Sequence, residues 1–155
     1  MSDATRAAAA VLAAVPINAA LELTVLRAAG GHAEVALAGG PAWARVDGAA
    51  QGAALAALVD AAGLAALVSG VVAPARFADE VSALGTHATL AFLRLARGPV
   101  TARCGLDAGT LGALVALSGA GGPGAKVRLD TDVEIVDARG APVCRGRFSW
   151  SLRRR

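Results

Sequence analysis

Residues 51–70 read Q-G-A-A-L-A-A-L-V-D-A-A-G-L-A-A-L-V-S-G, and this stretch decides the fold. Ala and Leu dominate it, so helix propensity is high despite Gly63. Its one charge is Asp60, and no other Asp, Glu, Lys or Arg occurs between Asp47 and Arg76. A helix that is apolar on every side belongs inside a core or a membrane. Burying a lone carboxylate is costly unless the group is partnered or protonated. Asp60 is therefore the residue that most needs a reason.

On either side of this helix the chain reads as strands. Leu21 to Arg27 and His32 to Ala38 flank Gly30-Gly31 and alternate apolar with polar residues, which predicts a hairpin. Residues 41–50 form a loop into the central helix. Residues 81–95 read as a long strand bent near Gly85, and Val100 to Asp107 as the next. The segment 108–125 is read as a flexible insertion with a short helix open at Thr110 to Leu117, because G-A-G-G-P-G at 119–124 is a turn.

The last third carries the clearest register. Val127, Leu129, Thr131, Val133 and Ile135 alternate with Arg128, Asp130, Asp132 and Glu134. Cys144, Gly146, Phe148, Trp150 and Leu152 alternate with Arg145, Arg147, Ser149 and Ser151. Pairing Asp137 with Pro142 sets Glu134 against Arg145 and Asp132 against Arg147. A slip of one residue would drive both arginines among the hydrophobes. An antiparallel sheet with one apolar face, and one apolar helix to cover it, is a two-layer α+β solution.

The chain's 155 residues suit a single domain, 1–155, opened by a helix within 1–16 that Pro16 ends. The stretch 7–15 is too alanine-rich for a signal h-region, which points to a cytoplasmic protein. The net charge of +3 equals the contribution of Arg153, Arg154 and Arg155, read as a frayed basic tail at 153–155. With 3% aromatics and no basic stripe, nucleic acid is excluded as a partner. A membrane span over 49–75 is set aside because Asp60 stands at its middle. Cys104 and Cys144 lack CxxC spacing, and His32 and His87 stand alone, so no metal or cofactor is expected.

Three strings, in order, resemble the hotdog-fold thioesterase superfamily, particularly its PaaI-like and YiiD C-terminal-like branches. The superfamily's Asn-x-x-Gly-x-x-His-Gly-Gly motif, with an acid nine positions after the His, meets Gly48, Gln51, Gly52, Ala53 and Asp60. Arg45 stands in place of the Asn and Gln51 in place of the His. A-F-L-R-L-A-R-G at 91–98 and V-E-I-V-D-A-R-G-A-P-V-C-R-G at 133–146 resemble two further strings. The resemblance covers residues 17–152. It implies a sheet wrapped around one long helix, and hydrolysis of an acyl-CoA at a site shared across a homodimer, or in a dimer of such dimers. Asp60 would act as base or nucleophile, with Gly52, Ala53 and Gln51 at the thioester carbonyl. Arg45, Arg94 and Arg97 would lie along the substrate, the last two beside the phosphates of coenzyme A. Coenzyme A would be part of the substrate. The replacements at 45 and 51 leave a second reading open, a catalytically silent module that binds an acyl thioester or lipid-like ligand. Asp60 hydrogen-bonded to a buried backbone or hydroxyl group is the structural alternative to a base.

Overall fold

A computed structural model describes residues 1–155, the side chain of Ala42 excepted. Helix α1 (Asp3–Ala13) begins on Ser2, whose hydroxyl accepts the Thr5 N–H at 3.1 Å. The Thr5 hydroxyl meets the Ala28 backbone at both its N–H and its carbonyl, each 3.1 Å away, and ties α1 to the first strand. Pro16 does not simply end a helix. It opens α2 (Pro16–Ala20), because a first-turn position needs no N–H donor. The first strand accordingly starts at Thr24 rather than Leu21.

Strands β1 (Thr24–Ala29) and β2 (His32–Leu37) turn on Gly30 and Gly31, both at positive φ as a two-residue hairpin turn demands. The central helix α3 (Gly52–Gly70) follows, then the short α4 (Phe77–Glu80) and β3 (Val81–Phe92). Strand β4 (Val100–Gly105), helix α5 (Ala108–Ser118), and strands β5 (Lys126–Asp137) and β6 (Pro142–Arg154) complete the chain. The six strands form one antiparallel sheet in the order β1-β2-β4-β5-β6-β3. The strand after the central helix therefore lies at an edge.

The sheet curls around α3, which contacts all six strands, while α1 covers another side. Thirteen of the helix's nineteen residues are buried, so its lack of a polar face follows from enclosure by protein. By length and composition α3 could cross a bilayer, yet two-thirds of its apolar window is already buried here. Glycines let the layers close: a Cβ on Gly146 would fall 2.6 Å from Val59 Cγ1. At the far end the Ser69 hydroxyl accepts the Gly31 N–H at 3.1 Å and pins the helix to the β1–β2 turn. One stripe stays less covered: Ala53, Ala56, Ala57, Asp60 and Leu64, spaced as one helical face.

The β5–β6 register holds on charge, with Asp132 taking Arg147 through two bonds of 2.7 and 2.8 Å and Glu134 taking Arg145 at 2.9 Å. One detail differs. A register shift after Ile135 pairs Pro142 with Val136, because Asp137 belongs to the turn, where its carboxylate accepts the Arg139 and Ala141 N–H groups. Within 108–125 the helix extends beyond Thr110–Leu117 to Ala108–Ser118. Asp107 caps it through the Thr110 N–H at 2.7 Å, and Leu114 and Leu117 are buried. Arg153 and Arg154 are no frayed end. They finish β6 against Ser82 and Val81, with the Arg154 guanidinium 3.0 Å from Glu80 and also on the Ser118 carbonyl. Cys104 and Cys144 are free and buried, and burial pushes the Cys104 thiol up to about 12, with Asp132 adding to the shift.

Candidate active site

The loop before α3 is built to deliver the helix start to one place. A single 3-10 turn, Pro41–Trp43, leads into a tight reversal in which the Arg45 N–H meets the Ala49 carbonyl at 2.6 Å and the Gly48 N–H meets the Arg45 carbonyl at 2.9 Å. Gly48 sits at φ +79°, a left-handed conformation that favours glycine. The Asp47 carboxylate accepts the Ala49 N–H at 3.1 Å. Two further bonds moor the loop: Ala50 N–H to the Ala96 carbonyl at 2.8 Å, and Gln51 N–H to the Trp43 carbonyl at 2.9 Å.

Gln51 is the N-cap residue, but its side chain makes no capping bond and is exposed, so its amide is free. The backbone N–H groups of Gly52 and Ala53 have no acceptor among the described residues. Unpaired N–H groups with the positive end of a 19-residue helix behind them suit a developing oxyanion. Beside Gly52 lies the ring of Phe92, 58% exposed, so near that a Cβ on Gly52 would come 3.2 Å from its Cζ.

Asp60 stands on the less covered stripe of α3. It has no ion pair and no hydrogen-bonded side-chain partner among the described residues, which leaves the structural alternative for it without support. Burial alone lifts its carboxyl above the ordinary 3.8. An acid raised in this way is a better proton acceptor near neutrality than a solvated one. Yet Asp60 and Gly52 are eight residues apart on one helix, which at 1.5 Å per residue is about 12 Å along the axis. One chain does not bring them together.

The arginines fall in different settings. Arg45 faces Asp47 at 3.3 Å on the surface. Arg97 donates to the Asp47 carbonyl at 2.5 Å and so props the loop from outside. Arg94 is exposed beyond the end of β3, without an ion pair among the described residues. Phe92 and Trp43, both next to the helix start, do not stand out in the sequence as site residues. Their only signal is scarcity, since the chain holds three Phe, two Trp and no Tyr.

No family model and no curated protein matches the chain. Solved structures match it nearly end to end. A Pseudomonas aeruginosa protein of unknown function superposes with a TM-score of 0.76 at 19% identity, over 97% of this chain and 96% of that one. The E. coli PaaI protein of the phenylacetic acid degradation operon gives 0.67 at 19% identity, over 98% and 93%. A hypothetical thioesterase of Streptococcus pneumoniae, solved with coenzyme A, gives 0.64 at 16% identity, over 88% and 91%. The order of elements, the wrapped helix and these superpositions together establish the hotdog fold.

Proposed function

We propose that this protein hydrolyses acyl thioesters of coenzyme A at two sites, each shared between two copies of the chain. The observation that carries the reading is Asp60, an unpartnered carboxyl on the less covered stripe of a helix otherwise sealed in the core. A fold of this kind does not license an activity by itself; the carboxyl and the unpaired N–H groups support it. The S. pneumoniae structure with coenzyme A makes that ligand a reasonable one to try first.

In the proposed step, the Asp60 carboxylate of one subunit takes a proton from a water molecule whose oxygen attacks the thioester carbon. The carbonyl oxygen gains the negative charge, and the N–H groups of Gly52 and Ala53 from the other subunit receive it, with the free Gln51 amide as a further donor. Collapse of the tetrahedral intermediate breaks the C–S bond. The thiol leaves with the proton held by Asp60, and the acyl group leaves as the free acid. Arg94, exposed beyond the end of β3, would meet a phosphate of the substrate.

The reading calls for two copies because the 12 Å between the two halves exceeds any hydrogen-bond reach, so each half would be completed by the other chain. Edge strand β3 is the natural seam. Leu84 and Phe92 are 64% and 58% exposed there, and the strand carries no Lys, Arg or Pro to block pairing with its own copy.

The departures at Gln51 and Arg45 favour one competing reading, a silent module that binds the thioester without cleaving it. Steady-state hydrolysis of an acyl-CoA panel by wild type and Asp60→Asn separates the two. Turnover that falls at least a hundredfold in the variant is expected for a lost general base. Turnover unchanged by the substitution sinks this mechanism, and saturable binding without turnover selects the silent module.

A further inference from the structure

The outer face of the sheet, turned away from α3, carries two different charge arrangements. Toward one end, opposite charges alternate in register from strand to strand. Arg27 of β1 stands opposite Glu34 of β2, and Glu34 opposite Arg103 of β4. Arg103 in turn faces Glu134 of β5, and Glu134 faces Arg145 of β6. Asp132 and Arg147 oppose each other one step along. That register yields ion pairs at 3.8 Å for Arg103–Glu34, 2.9 Å for Arg145–Glu134 and 2.7 Å for Arg147–Asp132.

At the other end the rule breaks. Lys126 of β5 and Arg153 of β6 are directly opposed, and Arg128 follows Lys126 on the same face, opposite Ser151. Like charges in opposed positions cost a sheet stability. Lys126, Arg128, Arg153 and Arg155 are all exposed, and none has an ion pair among the described residues. Together they exceed the net charge of +3 carried by the whole chain. The nearby acids are spent elsewhere: Glu80 is shared by Arg76 and Arg154, and Asp130 lies 4.0 Å from Arg147.

The backbone beneath these cations is fixed. Arg154 N–H donates to the Ala125 carbonyl at 2.8 Å, Gly124 N–H to the Arg154 carbonyl at 2.9 Å, and Arg155 N–H to the Glu80 carbonyl at 2.8 Å. A cleft of about 480 Å³ opens between the turn at 123–124 and the strand end, with Ser82 and Arg153 among its walls and no carboxylate. Opposed strand residues sit about 5 Å apart, and same-face neighbours on one strand about 7 Å. Acids three or four positions apart on a helix are spaced about 5–6 Å, close to the same interval. One phosphate is too small to meet all four cations. A long polyanion would run on over Asp130, Asp132 and Glu134, and no exposed aromatic side chain accompanies the cations for bases to stack on. Cations gathered around a cleft also suit a protruding partner better than the flat surface of a bilayer. We propose that this end of the sheet docks an acidic helix of a partner protein, with Lys126, Arg128, Arg153 and Arg155 meeting its carboxylates. The proposal rests on neither the hydrolase reading nor the dimer.

The test is fluorescence anisotropy with a labelled Ala-rich helical peptide carrying Glu at every fourth position, and with its twin carrying Gln there. Saturable binding of the acidic peptide is expected, with the twin about tenfold weaker or more. Raising the salt from about 0.02 M to about 0.3 M should weaken the acidic peptide about tenfold. Lys126→Glu should cost about tenfold and Arg153→Gln about threefold, whereas Arg139→Glu, in the β5–β6 turn, should stay within about twofold of wild type. Lys126→Glu also sets an opposite charge against Arg153, so its melting temperature should rise as its binding falls. That split is what a surface kept for a partner at some cost to the fold predicts. The proposal is overturned by absent saturation, by a twin that binds as tightly, or by equal losses in Lys126→Glu and Arg139→Glu. It is also overturned if losses occur only in variants whose melting temperature drops, or if an oligothymidine strand or phosphatidylglycerol vesicles bind more tightly than the peptide.

Discussion

Asp60→Asn and Gly52→Val should each abolish activity through a different subunit, and a mixture of the two variants distinguishes a shared site from a private one. The distances set the logic. Catalytic groups act on one carbon from about 3–3.5 Å, whereas these two lie about 12 Å apart on α3. Asn at 60 removes the proposed base. Val at 52 begins with a Cβ 3.2 Å from Phe92 Cζ, and its added bulk should crowd the helix start proposed to hold the oxyanion. Either loss alone should reduce turnover by about a hundredfold or more. When the two chains are unfolded together and refolded in equal amounts, half the dimers are mixed. Each mixed dimer has one site with both lesions and one with neither, so about 25% of wild-type activity should return under two-fold symmetry. Acyl-CoA turnover before and after mixing measures this. Recovery no greater than the sum of the parents would refute a shared site.

Leu84→Lys puts a charge on the unprotected edge of β3, and light scattering should then find a folded monomer for the variant and the proposed dimer for wild type. A dimer of unchanged affinity would move the seam elsewhere. Gly63→Ala gains about 1 kcal/mol of helix propensity. Its Cβ, however, would sit 2.6 Å from Thr131 Oγ1, which receives the Trp150 N–H at 2.9 Å, so overpacking of about 1–3 kcal/mol should win and a denaturant melt should show net loss. Asp60→Asn should raise the melting temperature at pH 7. Burial lifts the folded-state carboxyl above 3.8, so as pH rises from there the unfolded chain ionises first and wild-type stability falls until the folded pKa is passed. The advantage of the Asn variant should therefore vanish below about pH 3.8. A constant advantage at every pH would contradict this account.

Legibility in the sequence followed the density of constraint. α3 could be read because 28 consecutive positions, 48–75, hold a single charge, and only enclosure makes that tolerable in a folded protein. The β5–β6 register could be read because a slip would cost two buried arginines, and Asp132–Arg147 and Glu134–Arg145 pair as that argument requires. Pro16 misled because proline both ends one helix and opens the next, and nothing local says which. Arg153 and Arg154 misled because strand pairing to β3, and Glu80 waiting across it, are contacts made far along the chain. The candidate site shows the same divide. Gly52 and Asp60 are legible as one motif in sequence, but helical rise separates them, and the residues that flank the helix start, Phe92 and Trp43, arrive from elsewhere or carry no pattern.

That separation constrains any dimer that uses both halves. A two-fold axis that brings Gly52 of one helix to Asp60 of its mate relates residues whose numbers sum to 112, so it passes beside Ala56. The neighbours on that face, Ala53 and Ala57, are also alanines, and none of the three is fully buried within the chain. Small side chains at a crossing point let two helices approach to about 8 Å, the near end of ordinary packing distances. Alanine there is thus more than a filler of high helix propensity. Leu64, one turn beyond Asp60, is the first large side chain on the stripe and lies past the crossing. The same face that looks unfinished in one chain has the shape that an antiparallel copy of itself would complete, and Asp60 is the one polar group it would enclose.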